Sequence, residues 1–500
     1  MSRAGRAIAR IIRYILWSVA ALIAAVALTV LFIFNSPQAL RYLFSRFAPA
    51  GLTVKNISGT LAGPLRMEGI VYDRAGNRVR IAALGMDWRP AELLSLRFHI
   101  TRITITKMQV LAKKTGTARA RRPVRLPQLR LPPFFSLTLD KLTAEDVRYL
   151  RPPPGKPVIL DRLTLGAGMR GGTLIIRYMN ALAPRYAIGV SGRVMTIGDY
   201  PLTLRTNWAF APEKYPRAEG SGTAAGTLDR MRIMEAVKPP YNARVDFIIA
   251  NLLRRPGRQI EWDGSISWRR LRLKMPAGRK TKTIESRRGE LSSKGNRGAY
   301  SFGLDADVSL ENAPPFRTVV KGTGGTNALR VDSFAAHVIG GKLQGSGRLS
   351  WRKPSVRFAF KIAGRRLNTA LLSRKLKRKW KTRVNFAAGV SGAISKARRD
   401  IDVDIKSIDG TLRGYPLSGA GRIRMKDHDY FIPAFSLRSG TARIFASGSL
   451  VNRRWDLDWR LNAKNLGEML PNAGGRLSAR GTLKGRGKPV VTARIAGRGV

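Results

Sequence analysis

Cysteine is absent from the 500 residues, and histidine nearly so, with only His99, His337 and His428. The first absence excludes a disulfide scaffold and any thiolate metal site, and it suits an oxidising compartment where stray thiols are a liability. The second leaves no recognisable metal-ligand spacing. Acid is also scarce: 31 Asp and Glu stand against 91 Lys and Arg, a formal charge of +60. Catalytic signatures are missing as well. There is no GxxxxGK[ST] and no HExxH, while Gly345-Ser-Gly347 and Gly322-Thr-Gly324-Gly325 lack the strand–helix context of a dinucleotide loop. No serine sits in a nucleophile elbow. Asp402-Val-Asp404 has the look of a metal-binding pair, but strand alternation puts both carboxylates on a polar face where charges are ordinary. The expectation is therefore no enzyme, no cofactor and no metal. Disorder is not expected either, because 44% of the residues are hydrophobic.

A single long apolar run is present. Ile15 to Phe34, marked by Ile15, Trp17, Leu22, Val26, Leu31 and Phe34, is twenty residues without a charge. At 1.5 Å per residue that is about 30 Å of helix, the thickness of a hydrocarbon core. A cleavable signal has a shorter apolar region followed by small residues, and Phe34-Asn35-Ser36-Pro37 is a poor cleavage site. The run reads as an uncleaved anchor. Arg3, Arg6, Arg10 and Arg13 precede it and only Arg41 and Arg46 follow closely, which puts residues 1–14 in the cytoplasm and the remainder across the membrane. In a bacterium that means an inner-membrane, single-pass protein with its bulk in the periplasm.

Beyond a short amphipathic stretch from Pro37 to Phe47, a two-residue rhythm takes over. Val356, Phe358, Phe360 and Ile362 alternate with polar or small residues. So do Ile401, Val403 and Ile405, and again Leu457, Trp459 and Leu461. Half-buried antiparallel strands have this pattern, whereas buried parallel strands read as unbroken apolar runs. Gly-Thr-Leu recurs at 59–61, 172–174, 226–228, 410–412 and 481–483, and Gly264-Ser-Ile-Ser-Trp268 resembles Gly347-Arg-Leu-Ser-Trp351. These glycines read as turn signals that open successive strands of a degenerate repeat. Helix is expected only at Arg89–Leu96 and Leu367–Lys379, and segments 112–133 and 277–299 read as loops. About 35–40 strands then fill the remaining chain. With no linker after residue 133, the fold class is mainly β: one N-terminal membrane helix, then an elongated, curled antiparallel sheet.

The ten alternating residues just named form an oily track. It lines a groove if that face is open, or makes an ordinary core if it packs on a second layer; periodicity does not separate the two. An open track holds acyl chains at about 0.8 kcal/mol per buried CH₂ without any catalytic group. The basic residues are solvated strand faces and turns, or else attract anionic head groups. Arg374 to Arg383 is a basic cluster around Trp380 of the kind polyanions favour, but a domain beyond the membrane is not expected to meet nucleic acid.

Ile57-Ser-Gly59-Thr-Leu61-Ala-Gly63-Pro-Leu65 through Gly69, leading into Met86-Asp-Trp88-Arg-Pro90-Ala-Glu-Leu93, resembles the start of the TamB family, relatives of AsmA. Leu457-Asp-Trp459-Arg-Leu461 through Asn465-Leu466, Leu470-Pro471, Gly475-Arg-Leu477 and Gly481-Thr-Leu483-Lys-Gly485 resembles the repeated body of the same family. The resemblance implies a sheet folded lengthwise into a β-taco with an apolar interior. It implies a bridge that passes phospholipid from the inner to the outer membrane, and a role in outer-membrane protein assembly with a barrel of the TamA or BamA type. On this reading residues 35–133 begin the groove and 134–500 form its repeating body, open at the C-terminal end. Family members are longer, so a fragment or a short relative is expected. The alternatives are a non-transporting envelope tether and a membrane-attached polyanion binder.

Overall fold

The computed structural model describes residues 29, 32–74, 77–111, 128–150, 157–213, 215–253, 259–277, 280–310, 313–352, 354–372, 382–395, 397–468, 474–486 and 489–499. Helix α1 (Pro37–Phe47) begins where a Ser36 N-cap meets a proline in the first turn, and the Ser36 hydroxyl accepts the Ala39 N–H at 3.3 Å. It ends one residue before Ala48, whose helical conformation Pro49 disfavours. Among the described residues no helix is long and apolar enough to cross a membrane. Of the anchor positions, Ile15, Trp17, Leu22, Val26 and Leu31 lie outside the described residues, and Phe34 is helical and half-buried.

Twenty-eight strands occur among the described residues, fewer than the sequence suggests because many are long. The chain divides into two units, residues 1–212, 219–233 and 252–257 in the first and 213–218, 234–251 and 258–500 in the second.

The first unit carries α1 and the strands β1 (Leu52–Thr53), β2 (Asn56–Gly59), β3 (Leu65–Arg74), β4 (Asn77–Trp88) and β5 (Arg97–Leu111). It continues with β6 (Ser136–Leu150), β7 (Val158–Arg170), β8 (Thr173–Ala183), β9 (Tyr186–Met195) and β10 (Pro201–Phe210). Most of β11 (Ala218–Thr227) belongs here too, and β12 (Arg230–Val237) is divided between the units. Strands β1 and β2 each pair antiparallel with β3, and from β3 to β10 successive strands pair antiparallel with one exception: β5 and β6 are parallel over their full length. This corrects the expectation of a wholly antiparallel sheet. A parallel pair needs a crossover of a dozen residues or more, and the 24 residues from 112 to 135 supply it. The described end of that crossover lies beside later strand ends. The Leu129 N–H donates to Thr196 O at 3.3 Å and the Leu131 N–H to Gly171 O at 2.9 Å.

The second unit begins with β13 (Ala243–Ala250), β14 (Glu261–Ala277), β15 (Lys280–Asn296), β16 (Tyr300–Leu310), β17 (Ala313–Gly324) and β18 (Ala328–Val338). There follow β19 (Gly341–Arg352), β20 (Ser355–Leu367), β21 (Thr382–Ile394), β22 (Arg399–Leu412) and β23 (Tyr415–Lys426). It closes with β24 (Asp429–Ser439), β25 (Ala442–Val451), β26 (Arg454–Ala463), β27 (Arg476–Arg486) and β28 (Val490–Arg498). Each pairs antiparallel with the next.

Two expectations change here. Segment 277–299, read as a loop, is mostly the seventeen-residue β15. Its apolar-face positions hold Ser286, Gly289 and Ser293, small residues that sit against the rings of Trp268 and Trp262, so no apolar rhythm shows. The Trp268 Nε1–H donates to Ser286 Oγ at 2.8 Å and Trp262 Nε1–H to Ser293 Oγ at 2.9 Å. The helix expected at Leu367–Lys379 is, in its described part, a single 3-10 turn at Thr369–Leu372; Arg89–Leu96 is likewise a 3-10 turn, Pro90–Ser95.

Candidate functional site: the apolar face

Directly opposite residues of an antiparallel ladder share a face. In the second unit one such row runs Leu349, Phe358, Gly392, Ile401, Met425, Tyr430, Leu450, Trp455 from β19 to β26. A parallel row runs Phe334, Gly345, Ile362, Ala388, Ile405, Gly421, Phe435, Ala446, Trp459. Val356 and Phe360 lie on β20 with the first row's Phe358, Val403 on β22 between Ile401 and Ile405, and Leu457 and Leu461 on β26 either side of Trp459. All ten residues of the oily track therefore occupy one face.

All ten are half-buried, while Arg357, Lys361, Asp404, Asp456, Asp458 and Arg460 between them are exposed. A second sheet or helix layer on that face would bury them outright. Instead, the nineteen buried hydrophobic side chains among the described residues include nine alanines and no Phe or Trp, so no layer among the described residues covers the aromatic residues of the face. One rim of the face is covered by a described turn. There the 3-10 turn Leu466–Glu468 sets Leu466 on Ala442, Ala463 and Leu477. The Glu468 carboxylate accepts the Thr441 hydroxyl and backbone N–H at 2.7 and 2.5 Å, and these bonds hold it below the usual carboxylate range.

The glycines have a role that their reading as turn signals missed. Many lie inside strands, each opposite an aromatic residue whose ring lies across it. A methyl at Gly421 would come within 2.7 Å of the Phe435 ring, at Gly481 within 2.8 Å of Trp459, and at Gly364 within 2.5 Å of Phe386. Gly347 and Gly289 seat Phe360 and Trp268 in the same way. In the first unit Gly220 lies under Trp208, and on the other face Gly166 lies under Tyr178. Flat rings over glycine keep the strands paired and leave the face low and smooth.

The polar face of the first unit holds a cluster that the sequence does not reveal. His99 on β5 meets Glu92 of the 3-10 turn through Nδ1 and Asp140 of β6 through Nε2, each at 2.7 Å. Asp140 also accepts from Arg177 on β8 at 3.1 Å, and its backbone carbonyl accepts the Tyr178 hydroxyl at 2.8 Å. Only an imidazolium donates from both nitrogens. The bond to Glu92, seconded by that to Asp140, pushes His99 above the usual imidazole range. The His99 contact holds Glu92 and Asp140 below theirs. This cluster fastens the parallel pair β5–β6 to the turn before it. Asp402, of the candidate metal pair, accepts from Arg422 at 3.0 Å and Arg424 at 3.2 Å and is held low by them. Among the described residues no group of three or more His, Asp or Glu is arranged to hold a metal. Most of the basic cluster around Trp380 lies outside the described residues.

The family description "TamB, N-terminal domain" matches residues 114–500. That span includes the second unit's entire ladder and the segment 457–485 that resembles the family's repeated body, while the opening motif at 57–94 precedes it. A match over more than three-quarters of the chain, on a body built from repeated paired strands, places the protein by descent: the chain belongs to the TamB family.

Proposed function

We propose that this chain is part of an envelope bridge that carries phospholipid acyl chains along its apolar face between the inner and outer membranes. One observation carries the reading: ten aliphatic and aromatic residues from three strands share a face, stay half-buried and have no covering layer among the described residues. Family membership supports the envelope setting, anchorage of the N-terminal run in the inner membrane, and a part in outer-membrane protein assembly with a TamA-type barrel.

The physics is simple. Ten methylenes taken out of water by such a face contribute about 8 kcal/mol before ordering costs. Because the hydrophobic effect is non-directional, a face of similar residues from strand to strand offers no deep stop, and a chain slides along it. Head groups stay in water, so no buried polar site is needed. No bond is made or broken, and no catalytic residue takes part.

The test is a carboxylate on the track. Phe358→Asp and Leu457→Asp, in the full chain reconstituted between donor and acceptor vesicles, are expected to abolish lipid transfer and lipid co-purification while membrane attachment persists. Unchanged transfer in both variants contradicts the reading and leaves a tether that moves nothing.

A further inference from the structure

Part of the charge of +60 stands on the polar face of β24–β28. Arg460 on β26 stands directly opposite Arg480 on β27, and Arg480 directly opposite Arg494 on β28. All three are exposed. Like charges directly opposite on a sheet repel. Yet none of the three has an ion-pair or hydrogen-bond partner through its side chain among the described residues, whereas Arg317, Arg422 and Arg288 elsewhere in the unit each meet an aspartate. The row continues into Phe445 of β25, opposite Arg460, whose side chain is 47% exposed although it lies on the polar side.

The arginines and Phe445 line a furrow of about 1290 Å³ that holds only two carboxylates, Asp404 and Asp458. An adjoining furrow of about 700 Å³ is lined by Arg443, Lys464, Arg476 and Arg498 and by no carboxylate. Arg476 and Arg498 are again directly opposite each other.

We propose that this face of β24–β28 docks on an anionic phospholipid surface, with the Arg460–Arg480–Arg494 ladder as its centre. Guanidinium forks bind phosphate oxygens in bidentate pairs, and strand spacing puts successive forks about 5 Å apart, close enough for neighbouring forks to share one phosphate. Each cation near an anionic leaflet strengthens binding by a factor of about five. Phe445 supplies an apolar tip for the head-group region, as interfacial aromatics do. A single-stranded nucleic acid is less well matched: its recognition needs successive aromatics for stacking, and this side of the furrow presents one. The docking face is opposite the apolar track and does not depend on it.

The experiment is co-flotation of the full chain, held in neutral nanodiscs, with separate vesicles of phosphatidylcholine alone or with phosphatidylglycerol. Binding is expected only to the anionic vesicles and is expected to weaken as salt rises. The triple variant Arg460→Gln, Arg480→Gln, Arg494→Gln should bind about a hundredfold more weakly. The charge-matched triple Arg244→Gln, Arg330→Gln, Arg357→Gln should bind within about threefold of the parent, those arginines lying on other strands. Equal losses in the two triples overturn the proposal, since net charge alone would then account for binding; so does no loss in either. Overturning it as well would be labelled mixed-sequence DNA that binds through the ladder while the vesicles do not. Phe358→Asp should leave docking intact, so loss of lipid transfer and loss of docking are read separately.

Discussion

The two units treat their apolar faces alike and their polar faces differently. On the apolar side each seats rings on glycines, Trp208 on Gly220 in the first unit, Phe435 on Gly421 and Trp459 on Gly481 in the second. On the polar side the first unit holds a cluster whose charges are met within it: His99 lies between Glu92 and Asp140, and Asp140 also meets Arg177. At the far end of the second unit arginine faces arginine across three strands. The shared feature belongs to the common architecture. The differing one separates charges that hold a fold together from charges left for something outside it.

The shared half of that comparison breaks most readily at a ring seat. Gly421→Val forces the Phe435 ring off its strand and should lower the stability of the chain by about 3 kcal/mol. Gly389→Ala, at a mid-strand glycine with nothing within 4 Å of an added methyl, should be neutral within about 0.5 kcal/mol. Denaturant midpoints compare the two, and equal effects would remove the ring-seat account.

The differing half is tested next. Asp140→Ala takes one partner each from His99 and Arg177 and should weaken the β5–β6 pair by about 2 kcal/mol, read as lost hydrogen-exchange protection in those strands. Arg480→Gln, by contrast, removes a like-charge neighbour and should leave stability unchanged or raise it by a few tenths of a kcal/mol.

The smaller effect is one of pH. The His99 pKa is raised in the folded chain, so its contribution is fully present below the ordinary imidazole value near 6.5 and is lost as pH rises through the raised value. Those of Glu92 and Asp140 are lowered, so their contribution is present above the ordinary carboxylate range and lost as pH falls through the lowered values. Protection of β5 and β6, corrected for intrinsic exchange, should therefore be greatest between about pH 4.5 and 6.5. His99→Gln should flatten the decline above that window.

Alternation made the apolar track legible from sequence, because a period of two is a local property that each strand displays by itself. Features that depend on a neighbouring strand were not legible. Strand β15 carries Gly289 and Ser293 where a rhythm would need aliphatics, since rings from β14 fill the space above them. The mid-strand glycines looked like turns for the same reason: the residue that requires Gly481 is Trp459, on another strand. His99 looked isolated because Asp140 is 41 positions away and joins it through a parallel pairing that no local signal announces. Strand length was misjudged as well, and seventeen-residue hairpin arms such as β14 and β15 account for a smaller number of strands than expected.

The most direct measurement places a photoreactive amino acid in turn at each position from 357 to 362 of β20 and asks which positions capture radiolabelled phospholipid in the intact envelope. Capture at 358, 360 and 362, with little at 357 and 361, is the result that an open, lipid-bearing face requires. Capture at none of them, or equally at all six, would contradict it.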